Sequence, residues 1–117
     1  MAGHRQKPLK LHVASVGSAK VLTISGSATM AEADRIRVKL EKLAAADAPI
    51  IVLDLSKMDF IGSAGLGALI VGHLHASRRH GQIRLVSPSS QVLGILETTH
   101  LTKIFPIYAT VDQAVNA

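Results

Sequence analysis

The segment PIIVLDL, residues 49–55, constrains the fold more than any other stretch of the chain. It is a short, unbroken apolar run, whereas a strand with one face in water alternates apolar and polar residues. A run of this kind is expected of a strand covered on both faces, as in a sheet with helices packed on it. It leads through SKMDF into IGSAGLGALIV, where very small residues surround one serine, Ser63, before an apolar helix begins. A helix over 64–79 places Leu66, Ile70 and Leu74 on one face, and Ser63 is its expected N-cap. Arg78, Arg79 and His80 fall where the helix dipole favours cations, and Gly81 suits the position just past the helix end.

The rest of the chain supplies the other layers. LKLHVASV (9–16) and KVLTISG (20–26) read as two β-rich runs, with Gly17-Ser18 as the turn between them and Gly26 closing the second. Thr29 and Glu32 have the spacing of a capping box, and Ala33, Ile36, Leu40 and Leu43 recur at helical spacing. Those signals predict an amphipathic helix over 30–46. QIRLVS (82–87) is a further strand, and Ser87-Pro88 reads as a cap and first-turn proline of a helix running to about Thr98. KIFPIY is a short edge strand limited by its proline. Thr110 and Gln113 form a second box-like cap on a terminal helix. Two leading strands followed by alternating helices and strands define an α/β fold: a mixed sheet of about five strands with about four helices packed on it.

Composition narrows the function. A chain of 117 residues holds one core. Apolar residues make up 48% but only two Phe and one Tyr are aromatic, so the core is aliphatic. Residues 1–8 are expected to be a flexible basic tail ahead of a single domain, 9–117. No apolar run approaches the roughly 20 residues of a membrane span, and the basic N-terminus lacks the apolar region of a secretory signal, so membrane insertion is not expected. The absence of cysteine rules out disulfides and thiolate metal sites and fits a reducing, cytoplasmic setting. A net charge of +5 invites a nucleic-acid partner. The cations gather, however, in the tail (Arg5, Lys7, Lys10) and in RRHGQIR, 78–84, with no aromatic RNA-binding signature beside them. A solvated basic face explains them, and direct DNA binding is not expected.

Ser63 is the residue with chemistry to explain. At the first turn of a helix a serine lies beside unpaired N–H groups and the positive end of the macrodipole. Gly62, Ala64, Gly65 and Gly67 leave it uncovered. Glycines at 65, 67 and 72 each cost roughly 1 kcal/mol against alanine in a helix interior, which points to close packing or access rather than helix stability. A phosphoryl group on Ser63 adds close to two negative charges and three acceptors where a helix end tolerates them. The plainer reading, in which Ser63 only caps the helix, stays open at this point. Enzyme readings fit poorly. A nucleophile elbow requires glycine where Ile61 stands, and GSAGLGA lacks the lysine of a phosphate-binding loop. His73 and His75 are two apart on a helix and point away from each other, which argues against a shared metal. No enzymatic activity, metal or cofactor is expected.

The stretch IIVLDLSKMDFIGSAGLGALI resembles the central motif of STAS domains, the fold of bacterial anti-sigma factor antagonists. The match runs through Asp54-Leu55-Ser56, Phe60-Ile61 and Gly62-Ser63-Ala64-Gly65-Leu66-Gly67. IRLVSPSSQVLGILETTHLTKIF and YATVDQAV resemble the family's later strand and helices, so the resemblance covers nearly the whole chain from about residue 9. It implies partner switching: the unmodified domain binds an anti-sigma factor that is itself a serine kinase, which uses ATP to phosphorylate the serine and end the binding, and a serine phosphatase resets it. Ser63 occupies the phosphorylated position. The implied partner surface comprises Gly26, Ser27 and Thr29 of the loop after the second strand, together with Gly62, Ser63, Ala64, Gly65, Leu66 and Gly67. Two acids common in the family are missing, one before the serine (here Gly62) and one in the loop that here reads Gly26-Ser27-Ala28-Thr29. The face around Ser63 is therefore expected to be less negative than usual and to select a different partner. The alternative is a non-switching STAS module, a scaffold of a signalling assembly or a soluble subunit of a lipid-transport complex.

Overall fold

The long apolar run becomes the first part of strand β3 (Ile50–Ile61), which lies in the middle of a sheet of order β1-β2-β3-β4-β5. The structure is a computed structural model that describes residues 7–46 and 49–117. β1 (Lys10–Val16) and β2 (Ala19–Ala28) form an antiparallel hairpin, turning at Gly17 with a φ of +61° that suits glycine. β2, β3, β4 (Gln82–Val86) and the two-residue β5 (Ile107–Tyr108) are parallel. The sheet is thus mixed, and among the described residues four α-helices connect or cover it: α1 (Met30–Leu43), α2 (Ser63–Arg78), α3 (Ser90–Thr98) and α4 (Val111–Val115).

Side chains alternate across the strands, and the two faces are closed differently. Leu22, Ile24, Ile51, Leu53, Ile83 and Leu85 point to one side, where Ile36 and Leu40 of α1, Leu69 of α2, Val92 and Leu96 of α3 and Phe105 complete the main core. On the other side Val21, Val52 and Val86 meet Ala114 of α4. Arg84 fixes α4 there by donating from Nη1 to the Ala114 carbonyl at 2.8 Å, satisfying an acceptor at the helix end.

Several boundaries differ from the sequence reading, each for a local reason. β2 does not close at Gly26. That residue has a φ of +89° at an irregularity in the β2–β3 pairing, and the strand continues to Ala28. Thr29 is the N-cap of α1, but its side chain caps nothing, and Glu32 pairs with Arg35 at 2.8 Å rather than reaching back. α1 ends at Leu43 rather than 46. α2 begins at Ser63 with Gly62 as its N-cap, so the serine is the first helical residue and not the cap. His80, not Gly81, takes the left-handed conformation after α2, with a φ of +62°. Gly81 is required instead by crowding, because a Cβ there would run into the Pro49 carbonyl and ring. Ser87 has a φ of +48°, so the chain is still turning there, and α3 is capped two residues later by the Ser89 hydroxyl, which accepts from the Val92 N–H. A 3-10 turn, Leu101–Lys103, takes the start of KIFPIY and leaves only Ile107–Tyr108 as strand. The second cap stands as expected: Thr110 Oγ1 accepts from the Gln113 N–H, and Gln113 Oε1 accepts from the Ala109 N–H.

Of the expected basic tail, residues 1–6 lie outside the described residues. Lys7 and Pro8 cross over Gly26, where the Ser27 N–H donates to the Lys7 carbonyl, and Leu9 is buried.

Candidate functional site

Parallel pairing determines where Ser63 lies. Ala28 and Ile61 are register partners at the carboxyl ends of β2 and β3, so the helices that follow those strands start side by side. The Gly62 N–H donates to the Ala28 carbonyl at 3.0 Å and ties the two starts together. Two helix N-termini therefore bring their partial positive ends to one spot. The first turn of α2 contains no acid, and the one acid in the first turn of α1, Glu32, is paired with Arg35. Ser63 is exposed there, and the extended backbone of Gly62 (φ −90°, ψ 179°) leads into the helix without a side-chain cap.

The glycines of α2 divide by what surrounds them. A Cβ on Gly65 would stand 2.8 Å from Ile61 Cγ1 and 3.3 Å from Ala28 Cβ, and one on Gly72 would stand 2.8 Å from Leu40 Cδ1 and 3.1 Å from Leu40 Cβ. Both are needed for α2 to sit tightly on β3 and α1. A Cβ on Gly67 would meet nothing within 4 Å. Of the residues expected to form a partner surface, Gly26 and Ser27 are buried, Ser27 at 4% exposure, and Gly65 and Leu66 face the core. Thr29, Gly62, Ala64 and Gly67 are half-buried around the exposed Ser63.

Beside Ser63 an open groove of about 340 Å³ runs between α1 and α2, lined by Met30, Ala33, Ala64, Gly67, Ala68 and Val71, with Asp34 and Arg37 as its polar members. Asp34 accepts from Arg37 Nε and Nη2, and Glu41 accepts from Arg37 Nη1 at 2.7 Å. Hydrogen bonds and charge from Asp34 and then Glu41 hold the Arg37 guanidinium above its ordinary pKa. Met30, 82% exposed, and the outward Ile70 and Leu74 of α2 extend the apolar surface. Sequence reasoning missed Met30. Its signal was an apolar residue directly after the Thr29 cap and off the buried stripe Ala33-Ile36-Leu40.

The histidines of α2 are engaged elsewhere. His73 packs edge-on against Phe105 with ring centroids 5.6 Å apart, and His75 Nε2 lies 3.7 Å from Glu41 Oε1. Both are roughly 15 Å or more along the helix from Ser63, given a rise of about 1.5 Å per residue. Neither is placed to take a proton from its hydroxyl. Among the described residues no cluster of three His, Asp or Glu residues is arranged to hold a metal ion, and no helix is long and apolar enough to cross a membrane.

A mixed sheet with this order, helices starting together at its carboxyl edge and residues 10–114 matching the STAS domain family model place the chain in the STAS domain family. Proteins named anti-sigma factor antagonists are among those it resembles. The anti-sigma F factor antagonist of Paenibacillus polymyxa is 28% identical over 98 residues, 83% of this chain and 81% of the relative. The crystal structure of an anti-sigma factor antagonist from Mycobacterium paratuberculosis superposes with a TM-score of 0.82 at 27% identity, over 93% of this chain and 92% of that one. The Bacillus cell fate determinant SpoIIAA, in its phosphorylated form, shares the fold with a TM-score of 0.70 at 18% identity, over 93% of this chain and 97% of that one.

Proposed function

We propose that this protein is an anti-sigma factor antagonist whose unmodified form binds an anti-sigma factor with serine kinase activity, and that phosphorylation of Ser63 ends the binding. The observation that carries the reading is the exposed Ser63 hydroxyl at two adjoining helix N-termini, capping nothing. In the transfer, the γ-phosphoryl of ATP forms a bond to Ser63 Oγ as its bond to ADP breaks, and the hydroxyl proton leaves. The product dianion is stabilised by the helix ends without a change of fold. Its charge and bulk then alter the surface that the partner meets. The relative in Paenibacillus polymyxa bears the antagonist name, and SpoIIAA of Bacillus is known in a phosphorylated form; both support the reading. A serine phosphatase restores the binding form, and the exchange belongs in the cytoplasm, where a sigma factor and ATP are found.

The test is to incubate the purified protein with ATP and each anti-sigma factor kinase encoded in its own genome. Phosphate is expected on Ser63 by mass spectrometry and absent from Ser63→Ala, and Ser63→Asp is expected to abolish complex formation. No phosphate on Ser63 with any of these kinases would overturn the switch. A complex that survives Ser63→Asp would identify a constitutive STAS module instead.

A further inference from the structure

The outward side of α2 carries a chemical description of what docks on it. From Ser63 to Arg78 the helix contains no carboxylate. The acids of α1 are already engaged: Glu32 pairs with Arg35, and Asp34 and Glu41 pair with Arg37. Arg78 and Arg79 are exposed and, among the described residues, enter no ion pair. Between Ser63 and Arg78, roughly 22 Å along the axis, the large exposed side chains are apolar, Ile70 at 36% and Leu74 at 47% exposure, with Ser77 as the exposed polar residue and Met30 of α1 lining the groove.

Two glycines sharpen the description. A Cβ on Gly62 would find only ordinary contacts, 3.5 Å to Phe60 Cε2 and 3.6 Å to the Ala28 carbonyl, and its φ of −90° suits any residue. An aspartate, a preferred N-cap residue, therefore fits at position 62, and packing does not explain its absence. Gly67 weakens the helix relative to alanine, yet among the described residues nothing lies within 4 Å of where its Cβ would stand. A surface that omits both an acid and a Cβ where each would fit is suited to an anionic partner whose backbone comes close.

We propose that the α1–α2 groove receives an acidic amphipathic helix of the partner, seated on Gly67, with its apolar side chains over Met30, Ile70 and Leu74 and its carboxylates toward Arg78 and Arg79. This rests on the reading of the protein as an anti-sigma factor antagonist and names the chemistry of its partner contact. The groove is a bed for a helix because small residues at 64, 67 and 68 let a backbone approach two others, and charge complementarity sets its direction. Phosphate on Ser63 then places a bulky, strongly hydrated dianion at the mouth of the groove, and its bulk and hydration oppose the seating of the helix without a conformational relay.

The test uses the full chain and the purified anti-sigma factor kinases of the same genome as probes, with binding followed by calorimetry and by stopped-flow at several salt concentrations. Gly67→Leu is expected to lower affinity at least about tenfold while leaving thermal stability intact. Gly94→Ala on α3, where a Cβ also meets nothing within 4 Å and which does not line the groove, is the control and is expected to bind like the parent. The double variant Arg78→Glu, Arg79→Glu is expected to slow association about tenfold at low salt and to reverse the salt dependence, and Gly62→Asp to weaken binding severalfold. Parental affinity in Gly67→Leu, or stronger binding after the arginine reversal or in Gly62→Asp, overturns the acidic helix while the antagonist reading stands. If no kinase binds the parent, or Ser63→Asp binds as well as the parent, the antagonist reading falls and this inference with it.

Discussion

The inward side of α2 buries Leu66, Leu69 and Ala76 and uses Gly65 and Gly72 to admit Ile61, Ala28 and Leu40. The outward side leaves Ser63, Ile70 and Leu74 in solvent and keeps a glycine, Gly67, that no neighbour requires. One helix thus carries two kinds of small residue. On the inner side a missing side chain is filled by the domain's own atoms, and its absence contributes to folding. On the outer side the space stays open, and folding gives no reason for it. The contrast teaches that glycines at similar spacing in one helix cannot be assigned a role until the surroundings of each are known.

Substitutions on the two sides break or sharpen that contrast. Leu69→Ala, at a fully buried position, is expected to cost about 2–5 kcal/mol of stability in urea unfolding. Ser63→Asp is expected to leave unfolding unchanged and to reduce partner affinity at least about a hundredfold, close to 3 kcal/mol, read by calorimetry. The same change made on opposite sides then gives opposite signs. Gly72→Ala, crowded by Leu40, is expected to lose about 1 kcal/mol, whereas Gly67→Ala is expected to gain up to about 1 kcal/mol from helix propensity. Matching signs in thermal unfolding would erase the distinction drawn here. Ser63→Ala carries the smallest effect, a stability within about 0.5 kcal/mol of the parent, because the hydroxyl is exposed and caps nothing.

Much of this architecture was legible because it rests on burial. PIIVLDL announced a central strand, and the Ala33-Ile36-Leu40 stripe announced the face of α1 that packs. The reading failed where backbone torsion decides. Thr29, Ser63 and Ser87 all have the chemistry of caps, yet Thr29 keeps its hydroxyl out of the helix start, Gly62 precedes Ser63 in the cap position, and the positive φ of Ser87 postpones α3 until Ser89. Gly26 looked like a terminator because glycine often ends strands, but here it lets β2 bend beneath Pro8 and continue. At the site, the resemblance drew attention to Ser63 and also to four residues that the fold turns inward, Gly65 and Leu66 close to it in sequence and Gly26 and Ser27 at the end of β2. Met30, from another helix, lines the groove and lies outside the central motif.

The crossing of Lys7 and Pro8 over Gly26 has a practical consequence. It brings the incoming chain to the same end of the sheet as Ser63, whereas α4 packs through Ala114 against one face of the sheet. An affinity tag or fluorescent fusion ahead of residue 7 therefore joins the domain at the end of the sheet that carries Ser63. Reagents for interaction studies are better attached at the other terminus.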